Sequence, residues 1–402
     1  MPQIFPFKAL LPAGGLEIKV SANTHVDDRK KQSEIVKNNP DTYLRVVKPY
    51  LYFDSEKGDT QYLPFARETL ESLMARNVMV QDSSDTLYVY NQINRDNNFS
   101  YLGLICNVST ADYYNGKIKV HENTLTEKEN LLIEHIKVCG AIGEPVLLTH
   151  FEDNTIEALL TETIQSTQPD IDFLDEVNRE HRIYKITDTD KINQFRAAYE
   201  TLSDFYIADG HHRSAASAGY YKNAGDINGH YLAFLVPANH LHIDSFYRAF
   251  KASGEFNLNH FLLQLESNFT IEKAESKVVP KSALSFGLCT ANGWYSLRYK
   301  HSVDHCDAVN KLDVSVLEND VFKSILGIRD SKTDSRLTFV KGNTPVDAVE
   351  TDVTNGVYDF VFTVYPCPIE AVFEIADKGM IMPPKSTYIE PKLRTGLTVQ
   401  RV

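Results

Sequence analysis

One stretch restricts the fold of this chain more than any other: Phe205-Tyr206-Ile207-Ala208-Asp209-Gly210-His211-His212-Arg213-Ser214-Ala215-Ala216-Ser217-Ala218. Its apolar start has the composition of a buried strand. Asp-Gly then supplies a tight turn, which glycine permits, and the small residues that follow suit a helix lying close against a sheet. A chain containing this run needs a fold that layers helices on a sheet.

The remaining patterning agrees, giving a mixed α/β (α+β) class. Leu63, Ala66, Leu70, Leu73 and Met74 recur at helical spacing, and Leu87 to Tyr90 and Tyr101 to Ile105 flank a polar Asn94 to Asn98 turn as a hairpin does. The segment Thr124 to Val138 reads as a helix, opened by a capping threonine with Glu127 three positions on. Pro145 to Leu148 and Tyr231 to Val236 read as buried strands. Later come a helix over Leu258 to Leu265, a strand pair at Ala283 to Leu288 and Trp294 to Tyr299, a helix near Val314 to Leu326, and strands at Leu337 to Val340 and Val357 to Val364. The intervening and trailing segments are expected to be helical.

No repeat is visible, which removes solenoids and propellers. Soft divisions fall near residues 110 and 250, giving segments 1–110, 111–250 and 251–402, although no Pro/Gly/Ser linker marks either point. The net charge of −13 opposes extended nucleic-acid binding. Five scattered cysteines without a C-x-x-C pair suggest reduced, mostly buried thiols. With neither a secretory leader nor a bilayer-length apolar run, a cytoplasmic location away from membranes is expected.

The chemistry concentrates at the Asp-Gly turn. Unpaired amides at a helix N-terminus, the helix dipole and the Arg213 guanidinium together make an anion site. Asp209 is placed to accept a hydroxyl proton or hold Mg²⁺. The plainer alternative is a capping aspartate beside surface histidines. Adjacent helical positions point about 100° apart, so His211 and His212 are a poor zinc pair.

A second cluster comprises Lys119, His121, Glu122, Lys128, Glu129 and His135. Lys128 and His135 return to nearly one face after two turns, with Glu122 a candidate second carboxylate for metal or proton transfer; ordinary solvated ion pairs are the alternative. A third cluster, Lys385, Ser386, Thr387, Lys392 and Arg394, is a local basic island, readable as a phosphate-facing wall or as a tail held by ordinary salt bridges. P-loop, Rossmann, nucleophile-elbow and H-E-x-x-H signatures are absent. Trp294 reads as a hairpin residue.

From Pro6-Phe7-Lys8-Ala9-Leu10 to Met382-Pro383-Pro384-Lys385-Ser386-Thr387, the chain resembles the prokaryotic domain-of-unknown-function 1015 family, whose Ala-Asp-Gly-His-His-Arg hallmark stands here at 208–213. The His121-Glu122, Lys128-Glu129 and His135 pattern and Asn39-Pro40 with Thr42 to Val46 also match. One departure is Ser21 to Asp27, where the family usually shows a Pro-Pro-Tyr-Asp type segment. The turn itself resembles that of the ParB/sulfiredoxin-like superfamily, most closely its free serine kinases.

That resemblance implies a ParB/sulfiredoxin-like core in 111–250, elaborated by N- and C-terminal α/β segments. It further implies a phosphotransferase moving phosphate from a nucleotide (ATP or ADP) to a small hydroxyl compound such as free serine. Asp209, Glu122 and His121 would act in catalysis, with Asp209 and Glu122 holding Mg²⁺. Gly210, His211, His212, Arg213, Lys128, His135, Lys385, Ser386, Thr387, Lys392 and Arg394 would contact phosphate or nucleotide. A nucleotide-gated ParB-like switch or clamp, and a phosphoester hydrolase, remain as alternatives, and a homo-oligomer stays open.

Overall fold

The computed structural model describes residues 1–24, 28–56, 58 and 60–402. The chain forms two units, Met1–Leu241 together with Pro391–Val402, and His242–Glu390. Both mix helices and strands, so the expected mixed α and β class is borne out.

The first unit is organised on a nine-stranded sheet. From one edge its order is Ile171–Leu174, Arg179–Ile186, Leu87–Asn94, Phe99–Ser109, His230–Pro237, Val146–His150, Phe205–Asp209 and Ile118–Lys119, with Ile4–Phe5 added alongside Phe99–Ser109. The expected hairpin is present, with Tyr88 opposite Ile105. The His230 strand pairs antiparallel with Phe99–Ser109 and parallel with Val146–His150, which makes the sheet mixed. Tyr231 to Val236 are completely buried, as a strand covered on both faces must be. Residue 110 falls inside this unit, because the hairpin before it and the strands after it share one set of ladders.

The second unit carries a six-stranded antiparallel sheet in the order Phe269–Ala274, Gly293–Tyr299, Ser285–Thr290, Phe360–Val364, Tyr247–Phe250 and Leu337–Val340. Helices Leu258–Leu265 and Ile369–Asp377 contribute Phe261, Leu265, Val372 and Ile375 to a core with Phe286, Leu288 and Phe362. Helix Val346–Thr354 packs Val349 and Val353 with Ala249, Cys289 and Trp294. The helix expected near Val314 to Leu326 takes a different form. It is α-helical over Asp313–Val316 and π-helical over Leu317–Lys323, and the wider turn lets Leu317, Val321 and Phe322 all enter the core.

The trailing segment also departs from expectation. Ile369–Asp377 is helical, but residues 391–402 belong to the first unit as two short strands, Arg394–Thr395 and Gln400–Arg401, separated by a turn at Gly396. There Arg394–Thr395 pairs with Ala22–Asn23, and Gln400–Arg401 with Ala141–Ile142. Prolines 383, 384 and 391 oppose helix here, and the strand partners are hundreds of residues away in sequence, beyond the reach of any periodicity. Gly396 shows how tightly this strap is held. Its φ is +76°, and a Cβ there would lie 2.3 Å from the Cβ of the fully buried Tyr43. Gly396→Ala should therefore destabilise the protein by at least about 1–3 kcal/mol. Urea unfolding would show this as a lowered midpoint, and an unchanged midpoint would mean the strap is not packed against Tyr43.

Candidate functional site

The Phe205–Asp209 strand pairs antiparallel with Val146–His150 and parallel with Ile118–Lys119, with a register shift between Ile207 and Asp209 just before the turn. Gly210 follows at φ 100° and ψ 32°, the left-handed region that favours glycine, and serves as N-cap of helix His211–Asn223, with no side-chain cap among the described residues. The first intrahelical bond runs from Ser214 N–H to Gly210 O at 2.9 Å. The amides of His211, His212 and Arg213 therefore precede the helical ladder at the positive end of a 13-residue helix. Buried Ser214, Ala216, Ser217 and Ala218 let this helix lie close to the sheet, and Ser214 Oγ meets Tyr231 Oη at 2.8 Å.

Arg213 was expected to contact phosphate, and the structure places its guanidinium among protein acceptors. Nη2 donates to Asp209 Oδ2 at 2.7 Å, and Nη1 lies 2.7 Å from Glu144 Oε1 and donates to the Pro145 carbonyl. The group lies directly over Gly210, where a Cβ would come within 2.9 Å of Nε and Nη2. Lys392 Nζ reaches the other oxygen of Asp209 at 3.1 Å. Glu144, Arg213, Asp209 and Lys392 thus form a continuous line of alternating charge. Sequence reasoning did not single out Glu144. Its only local signal is a place in the Gly143-Glu144-Pro145 turn ahead of a buried strand, which says nothing about a partner 69 positions on.

The structure also brings His121 and Glu122 to this turn. His211 Nε2 accepts the His121 backbone N–H at 3.4 Å, its Nδ1 lies 3.6 Å from Glu122 Oε2, and the two rings meet edge to face with centroids 4.5 Å apart. Burial pushes the His121 imidazole down to about 4, and burial followed by the neighbouring His121 pushes His211 well below the ordinary histidine range. Among the described residues the buried Nδ1 of His121 has no hydrogen-bond partner. His212 Nε2 accepts the Leu125 N–H at 3.0 Å. Leu125 is the N-cap of a helix spanning Thr126–Cys139, so the expected start at Thr124 with a Glu127 capping box does not form.

Other expected residues lie elsewhere. Lys128 is exposed on the first turn of Thr126–Cys139. His135 is half-buried, and its Nε2–H donates to the Val46 carbonyl at 2.8 Å. Arg394 is buried, with its donors directed at Asp175, Glu176 and Ser21. Lys385, Ser386 and Thr387 belong to the second unit, where Lys385 Nζ stands 5.1 Å from the Phe246 ring centroid and Ser386 Oγ donates to the Pro383 carbonyl at 2.7 Å. Of the divergent segment, His25, Val26 and Asp27 lie outside the described residues, while Thr24 Oγ1 donates to Glu144 Oε2 at 3.2 Å. Among the described residues no group of three or more His, Cys, Asp or Glu side chains could hold a metal ion. Both oxygens of Asp209 face cations, Arg213 and Lys392.

These features define a mixed α/β protein with a charged cluster at a strand-to-helix turn. A model of the family described as "Protein of unknown function (DUF1015)" matches residues 4–315, and the chain belongs to that family. No curated protein matches it in sequence. Similar solved structures include a free serine kinase in complex with AMP, at 16% identity over 68% of this chain and 84% of the other, with a TM-score of 0.34. A conserved hypothetical protein from Pyrococcus furiosus shows 18% identity over 68% and 87% of the two chains, with a TM-score of 0.32. SbnI from Staphylococcus aureus, with a C-terminal truncation, shows 12% identity over 71% and 82%, with a TM-score of 0.38. Among the described residues no helix is long and apolar enough to cross a membrane.

The buried imidazoles have a measurable consequence. Folding lowers the His121 pKa from 6.5 to about 4, so as pH falls the unfolded chain takes up this proton before the folded one does. The stabilisation is complete above the unfolded value of 6.5 and is lost as pH falls from there towards 4, at up to about 1.4 kcal/mol per pH unit for each such histidine. Ring-proton NMR should find His121 neutral throughout the neutral range. A normal titration near the unfolded value would show that its ring is solvated.

Proposed function

We propose that this chain is a phosphotransferase that moves a phosphoryl group from a nucleotide, ATP or ADP, to the hydroxyl of a small acceptor. One observation carries the reading. The N-terminus of a 13-residue helix, without a side-chain cap among the described residues, sits beside an ion-paired aspartate and a lysine, and among those residues the buried His121 Nδ1 has no partner. A polar atom so placed is costly unless something pairs with it, and a bound substrate would do so.

In this reading the amides of His211, His212 and Arg213 receive phosphate oxygens, and Lys392 adds a point charge. Asp209 orients the acceptor hydroxyl and takes its proton as the new oxygen–phosphorus bond forms and the bond to the departing nucleotide oxygen breaks. Arg213 serves as a clamp that fixes Asp209 against Glu144. Glu122 acts through His211 by holding its ring. Such a site catalyses mainly by positioning and by fixed charge, so small displacements of Asp209 matter. Free serine, suggested by the resemblance of the turn, is the first acceptor to test.

The closed pairing of Arg213 with both carboxylates also suits a second reading, a nucleotide-binding switch without rapid chemistry, because the cluster is complete without a substrate. Nucleotide with serine should produce phosphoserine in a coupled assay. Asp209→Asn should lower turnover by about 10²-fold or more while leaving nucleotide affinity within a few-fold. Equal loss of binding and turnover would remove the role assigned to Asp209. Tight binding without turnover would favour the switch, and phosphate release without an acceptor would favour a hydrolase.

A further inference from the structure

The strap Pro391–Val402 brings Lys392 to Asp209. From Gly396 onward its backbone is tied to Gly143, Leu10, Ala141–Ile142 and Gly140, but next to Lys392 its strand pairing is short. The pairing of Arg394–Thr395 with Ala22–Asn23 spans only two residues. Sheet register is normally set by a long alternation of buried and exposed side chains, which so short a ladder lacks.

At this end the strap is held in addition by a buried ionic lock. Arg394 is 4% exposed. Its Nε and Nη2 donate to Ser21 Oγ and Ser21 O, both at 2.9 Å, and its Nη1 donates to Asp175 Oδ2 at 3.2 Å and Glu176 Oε2 at 2.9 Å. Asp175 is itself immobilised. Its Oδ1 accepts the Val177 and Arg179 amides, and its Oδ2 lies 3.1 Å from His181 Nε2, while His181 Nδ1 meets Tyr90 Oη at 2.7 Å. Burial works against the charge on Asp175, but the bonds from His181 and the two amides prevail and hold its carboxyl at about 2. The lock is therefore anchored in two strands of the large sheet, Leu87–Asn94 and Arg179–Ile186.

A buried ion pair is seldom a large net source of stability, because desolvation offsets much of its attraction. Its best-attested use is to select one arrangement over its neighbours. Slipping the strap by one residue would set Leu393 or Thr395 against Asp175, leave buried charge unpaired, and move Lys392 about 3.3 Å along the chain. That distance is enough to break its contact with Asp209. We propose that Arg394 is a positioning residue of the site, setting the register of the C-terminal strap and so holding the Lys392 ammonium against Asp209. The assignment of Lys392 to phosphate rests on the function proposed above, but its placement by Arg394 does not.

The test needs no ligand in its first arm. In the full-length protein, the acylation rate of Lys392 by an amine-reactive reagent is followed by peptide mass spectrometry. Arg394→Gln should raise the rate at Lys392 about tenfold, a coupling usual for residues in one network, with the exposed Lys128 unchanged. Glu176→Gln loosens the same lock from its half-exposed side and serves if Arg394→Gln does not fold. Unchanged labelling of Lys392 in a folded lock variant overturns the proposal. In the second arm, ADP affinity is measured for Lys392→Ala, Arg394→Gln and the double variant. Arg394 acting through Lys392 predicts that the double variant is no weaker than Lys392→Ala, and multiplied effects overturn that route. If ADP does not bind the unaltered protein, the proposed function fails while the labelling arm still decides the role of Arg394.

Discussion

Two carboxylates, Asp209 and Glu144, can share one corner of this protein because a single guanidinium stands between them. Each lies 2.7 Å from an Arg213 nitrogen. Like charges so placed would otherwise repel, and in a partly buried setting the cost is larger than in water. Gly210 is part of the same solution, since a side chain there would occupy the space of the guanidinium. The glycine therefore does two jobs, turning the chain from strand to helix and leaving room for the clamp.

Around this clamp the site combines fixed positive ends with neutral rings. His121 and His211 are kept uncharged by burial, so the positive character at the helix start comes from backbone amides and Lys392 and does not depend on imidazolium. Amide dipoles and a lysine keep their polarity across the neutral range, whereas histidines of ordinary pKa would gain or lose charge within it. The His211 ring, held by the His121 amide and facing Glu122, ties the second predicted cluster to the first.

The last residues of the chain complete this arrangement. Residues 242–390 form their own compact unit, so the strap rejoins the first unit after a long excursion. The basic island seen in the sequence is resolved by that return. Lys392 finds Asp209 and Arg394 finds Asp175 and Glu176, while Lys385, Ser386 and Thr387 stay with the second unit. The carboxylates that neutralise Lys392 and Arg394 are about 180 or more positions away, so no reading of neighbouring residues could have supplied them.

Local patterning by itself determined the mixed class, most strands and helices, the strand–glycine–helix turn and the family. These depend on apolar periodicity, on the conformational freedom of one glycine and on a contiguous motif, all of which act within a few residues. It also marked His121 and Glu122 as a cluster, though not as neighbours of His211. Tertiary structure alone decided that Arg213 bridges Asp209 and Glu144, that His135 bonds the Val46 carbonyl, that Leu317–Lys323 widens into a π-helix, and that the tail is a strap. Each of these is set by partners distant in the chain or by space in a core. Charge pairing and packing operate through space, whereas a sequence records only order along the backbone.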